Sequence, residues 1–149
     1  MDFLMMNVGM CRNVSFANWE LETKIANQYF DQVDFDSAEK KYQHAKELAL
    51  SLLSKGDEPE RAIAALVVSF HNLADLYQKK NDLKNAHLEL HSVDAYLVHY
   101  LEGGNPDSNV LNAVRLGIDK TRIELLNFVQ KYKVHLLHDS LNNNIKLNH

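Results

Sequence analysis

The chain has 149 residues, enough for one domain with a continuous core. Its 20 acidic residues outnumber 16 Lys and Arg, a formal net charge of −4, which argues against the clustered cations that nucleic-acid phosphates or anionic membranes require. The single cysteine, Cys11, excludes an internal disulfide framework and a cysteine-built zinc cage, so a reducing cytoplasmic setting is the default expectation.

The opening Met1-Asp2-Phe3-Leu4-Met5-Met6 is apolar, but no basic stretch precedes it and it cannot span a bilayer. It reads as a flexible leader covering residues 1–17. Asn18 is the expected cap of a first helix, on which Trp19, Ile25, Ala26, Tyr29 and Val33 recur at helical spacing. Asp36 and Glu39 form the pattern of a capping box for a second helix carrying Ala38, Tyr42, Ala45, Ala49 and Leu52, which stops at Lys55-Gly56. Asp57-Glu58-Pro59-Glu60 starts a third helix, with Asp57 as its cap and Ile63, Leu66, Val67, Phe70, Leu73, Ala74 and Tyr77 buried. Asn81-Asp82 turns into a fourth helix with Leu83, Ala86, Leu90, Val93 and Leu97 inward, and Gly103-Gly104-Asn105-Pro106 breaks the chain. From Ser108 to about Leu137 runs one long helical pattern, with Leu111, Ile118, Leu125 and Tyr132 every seventh residue. That stripe either lids the domain or, if wider than the rest can cover, forms the seam of a homodimer. The domain is expected over 18–138, and the segment 139–149, with three asparagines in a row, is expected to fray.

Two stretches share a pattern. Ala26, Tyr29, Phe35, Ala38, Tyr42 and Ala45 recur in spacing as Ala74, Tyr77, Leu83, Ala86, Leu90 and Val93, 48 residues on. This resembles the tetratricopeptide (TPR) repeat, elongated beyond that family's usual period. The resemblance implies an all-α fold, a stack of antiparallel helical hairpins of about five helices closed by a long C-terminal helix. It also implies a non-enzymatic job: docking a peptide or helix of another protein in a concave groove, as small bacterial adaptors, regulators and secretion chaperones do. Carried over position by position, it puts Thr23, Asn27, Phe30 and Asp31 of the first helix on that groove. The third helix adds Val68, His71, Asn72, Asp75 and Gln78, and a faint third copy adds Leu111 and Arg115. Within TPR domains that clamp a C-terminal carboxylate, Asn27, Asn72 and Arg115 match, but Thr23 and Leu111 replace both lysines, so most of the charge-assisted bonding is missing.

Metal and catalytic readings are weaker. His87 and His91 are one helical turn apart, and His135 and His138 are three apart, but no third ligand is evident and no cofactor is expected. His71 lies one turn before Asp75, a pairing that would raise the imidazole pKa and make binding pH-sensitive. Phosphate-cradling loops and nucleophile–base motifs are absent as readable patterns. The expected partner is therefore a protein or peptide, with homodimerisation the alternative.

Overall fold

The computed structural model describes residues 14–104 and 106–147, except for the side chains of 134–140 and 143–147. Residues 1–13 of the expected leader, Cys11 among them, Asn105 and the His135/His138 side chains lie outside these described residues. Among them there are five helices and no strand: α1 (Phe16–Asp31), α2 (Phe35–Lys55), α3 (Pro59–Lys79), α4 (Leu83–Glu102) and α5 (Ser108–Leu147). The protein is all-α, and no helix among the described residues is long and apolar enough to cross a membrane.

Each helix packs on the next, and α3 packs on all four others. Connections of three residues force α1 against α2 and α3 against α4 as antiparallel neighbours, an arrangement compatible with stacked hairpins. The 48-residue recurrence reappears as backbone geometry. Val33 (φ 61°) and Asn81 (φ 58°) both take the left-handed conformation. The following residues, Asp34 and Asp82, donate their backbone N–H to the carbonyls of Tyr29 and Tyr77 at 2.9 and 2.7 Å. Asp34 and Asp82 then cap α2 and α4, accepting from Ser37 and Asn85 N–H at 3.3 Å each.

Three helix starts differ from the sequence expectation. Ser15, not Asn18, caps α1, accepting from the Asn18 N–H at 3.1 Å. The earlier start brings Phe16 onto the core, where the Arg61 guanidinium lies 4.2 Å from its ring centroid. Asp34 rather than Asp36 caps α2, because the turn closes onto Tyr29 and leaves Phe35 free to pack on Phe30 at 5.5 Å between centroids. Asp57 is drawn to Lys55 at 3.4 Å and Glu58 takes the cap position of α3 without a side-chain bond. Beyond Leu137, α5 continues through the asparagines to Leu147.

The core has two lobes. One gathers Ala26, Ala38, Tyr42, Ala74, Tyr77, Ala86 and Leu90, the recurring residues of both copies, with Leu73, Leu76 and Phe128. Alanine at four of these positions lets helix backbones approach, and the tyrosines fill the space beside them. The other lobe joins α2, α3 and α4 to Val110, Val114 and Ile118 of α5. The seven-residue stripe of α5 therefore turns inward. Ile118 is buried and Leu125 and Tyr132 pack on the first lobe, which makes this face a lid rather than a seam.

Two polar contacts fasten the layers from inside. The Trp19 indole N–H donates to Ser69 Oγ at 2.8 Å, and Ser69 donates in turn to the Ala65 carbonyl at 2.8 Å. Between α2 and α4, Lys46 Nζ stands 3.1 and 3.2 Å from the two Glu89 carboxylate oxygens and 4.9 Å from the Phe70 ring centroid.

Candidate functional site

A trough runs between α3 and α5. Its polar half is a cavity of about 230 Å3 lined by Val68, His71, Asn72, Asp75, Gln78 and Leu90 with Lys120 and Glu124 of α5. Its apolar half, about 250 Å3, is lined by Glu60, Ile63, Ala64, Val67, Val68, Ala113, Leu116, Gly117 and Lys120. Val68 and Lys120 border both, so the two halves lie side by side. Helical periodicity explains the walls: Ala113, Gly117, Lys120 and Glu124 recur at steps of four, three and four on α5, and Ala64, Val68, His71 and Asp75 do the same on α3.

Five of the residues expected on a groove, Val68, His71, Asn72, Asp75 and Gln78, thus converge on one cavity. The others are dispersed. Thr23 donates its hydroxyl to the Trp19 carbonyl one turn back, at 2.8 Å. Asn27 accepts a hydrogen bond from the Tyr42 hydroxyl. Burial, then the charges of Asp31 and Asp75, push the Tyr42 pKa up to about 12, so Asn27, Asp31 and Asp75 surround this phenol from α1 and α3. Arg115 is exposed on α5 and does not line the polar cavity. Lys120 and Glu124 take that wall instead. Gly117 locates them only once its helix crossing is known, because the residues three and seven beyond such a crossing share its face.

The electrostatics differ from the His71–Asp75 pairing expected from sequence. His71 Nε2 lies 3.0 Å from Thr121 Oγ1, and Thr121 is fully buried. Burial first, and the Lys120 charge second, lower the His71 pKa from 6.5 to about 4. The earlier expectation of a raised value fails because desolvation outweighs a carboxylate on the same helix. Asp75 is exposed overall, but the walls strip water from its carboxyl; this and Glu124 raise its pKa against the opposing pull of Lys131 and Lys79. Gln78 Oε1 accepts from the Tyr132 hydroxyl at 3.2 Å, closing the far end of the trough.

A pH dependence follows. A histidine that is harder to protonate when folded binds fewer protons than the unfolded chain between its two pKa values, so stability rises with pH across that window. Unfolding midpoints measured from pH 7 to 4 should fall as the pH drops from about 6.5 towards 4. His71→Gln, which keeps a donor and acceptor beside Thr121, should flatten that slope. An unchanged slope in the variant would assign the acid sensitivity to another group.

His87 and His91 lie on α4. Their ring centroids are 5.9 Å apart, and His87 also stacks on Phe128 at 5.6 Å. No group of three His, Cys, Asp or Glu side chains suited to holding an ion occurs among the described residues.

Fold and site together define a small all-α protein of successively packed helices with a half-polar, half-apolar trough. The chain belongs to the family described as "Protein of unknown function (DUF2753)", which matches residues 17–148. That match covers all five helices. Neither a curated protein nor a solved structure matches the chain.

Proposed function

We infer that the protein is a TPR-like, non-enzymatic interaction module of the cytoplasm that holds an extended peptide or a single helix of a partner protein in the α3–α5 trough. The observation that carries this reading is the adjacency of the apolar and polar halves, which share Val68 and Lys120 as a border. Such a surface suits a segment with apolar side chains at one end and hydrogen-bonding groups at the other. Asn72 and Gln78 offer amides to a peptide backbone, while Lys120, Asp75 and Glu124 in the same lining give both signs of charge for register. The imidazole–hydroxyl pair of His71 and Thr121 supports a binding role over catalysis, because a hydroxyl with no exposed surface cannot meet a substrate.

Peptide display against the purified full chain tests this. Sequences enriched on the wild type should bind Asn72→Ala about tenfold more weakly, a loss of one to two hydrogen bonds in a partly dried site. Helicity should be unchanged. Equal binding to both proteins, or no enrichment at all, removes the trough as the docking site.

A further inference from the structure

We propose that α5 carries a second interface, on its outer side around Leu126, and that its occupant is the α5 of a second copy of this chain packed antiparallel about Leu126. The observation is a helix that buries one side in the stack and still exposes large apolar side chains on its outer side. Val114, Ile118, Thr121 and Phe128 are buried in the stack. At 100° per residue, Ile123 and Leu141 project half a turn away from them and Leu126 about a third of a turn. These three side chains are 58%, 61% and 63% exposed. A terminal helix of a stacked array normally presents a polar outer face; here exposed Asn112, Asp119, Gln130 and Lys133 share that side with the three apolar residues.

Length and charge select the second copy. α5 has 40 residues where the other helices have 16 to 21. Its Tyr132 already reaches Gln78, at the C-terminal end of α3, so the helix beyond that point runs past the stack. Two such helices overlapping along about 40 Å, each presenting a strip about 10 Å wide, bury on the order of 800 Å2 in total. That is below the size of stable specific interfaces and corresponds to a weak, transient dimer. Asp119 lies seven residues before Leu126 and Lys133 seven after it, both exposed. Among the described residues neither is in an ion pair. An antiparallel two-fold at Leu126 sets each Asp119 opposite the Lys133 of the other copy, twice, whereas a parallel pairing would set like charges together. The trough opens on a different side of α5, so both surfaces can be occupied at once.

Sedimentation of the full chain from low micromolar to several hundred micromolar tests the pairing. A monomer–dimer equilibrium is expected. Leu126→Glu should leave monomer throughout, with unchanged helicity because this side chain is already solvated. Asp119→Lys should weaken the dimer about tenfold, and Asp119→Lys with Lys133→Asp should restore it to near the wild-type constant. A wild type that is monomeric across the range overturns the proposal. So does a dimer that Leu126→Glu leaves intact, or one that the double reversal fails to restore. Peptide binding in the trough is unaffected in either case, which keeps this test separate from that of the docking role.

Discussion

Replacing Lys46 by Met should lower the unfolding free energy by about 3 kcal/mol, whereas replacing Glu89 by Gln should cost only about 1 kcal/mol. The two groups form a doubly bonded pair whose side chains keep 18% and 11% of their surface exposed. Removing the ammonium leaves a carboxylate held near the Phe70 ring and mostly cut off from water. Removing the charge of Glu89 leaves a lysine with four methylenes, long enough to lift its ammonium into solvent. The asymmetry therefore follows from side-chain length more than from charge. The double variant Lys46→Met, Glu89→Met should recover to within about 1 kcal/mol of wild type, because two packed thioethers replace a pair whose attraction mostly offsets its desolvation. Denaturant unfolding of the four proteins gives the coupling directly. Losses below about 0.5 kcal/mol in both single variants would mean the pair behaves as an exposed one. Because this contact ties α2 to α4 across the two copies of the recurring pattern, its loss should also loosen the spacing of the hairpins.

Much of the fold was legible because it depends on period. Ala26, Ala38, Ala74 and Ala86 sit at positions where helical spacing and small size agree, and all four are buried in one lobe. The first turn was harder to read than the second. Asn81 announces a left-handed residue, but Val33 in the equivalent place is β-branched and 69% exposed, a choice that local preference opposes. Tertiary repetition of the hairpin overrides it. The α3 wall of the trough was readable, since residues on one helix face can be counted along the chain. Lys120 and Glu124 were not, because the faint third copy points to Leu111 and Arg115, and nothing along the chain shows which side of α5 meets α3. His71 shows the same limit in chemical form. Sequence offers Asp75 one turn away, while the contact that matters is Thr121, fifty residues on. The extension of α5 to Leu147 was hidden by Asn142, Asn143 and Asn144, which have low helix propensity and no apolar periodicity.

Gly117 sets how closely α5 approaches the stack, and Gly117→Leu should be the variant that joins fold loss to loss of docking. A Cβ added there would meet Leu97 Cδ1 at 3.0 Å and Val67 Cγ2 at 3.1 Å, with Ile63 Cγ2 at 3.9 Å. Alanine presses only on the tips of two side chains, which can shift by a few tenths of an ångström, and it gains about 1 kcal/mol of helix propensity over glycine. Gly117→Ala should therefore stay within about 1 kcal/mol of wild type. Leucine adds three more carbons between α3 and α4, where Val67 and Leu97 are buried, and overpacking of this kind costs about 3 kcal/mol. For a chain of this size that lowers the melting temperature by about 10 °C. The cheapest relief is outward movement of α5, which parts His71 from Thr121 and carries Lys120 and Glu124 away from Asn72 and Asp75. Peptides that bind the wild-type trough should then fail to bind Gly117→Leu even well below its melting temperature, while binding Gly117→Ala normally. A leucine variant that melts with the wild type and holds the same peptides would mean that α5 is not seated at this crossing, and the trough between α3 and α5 would lose its wall.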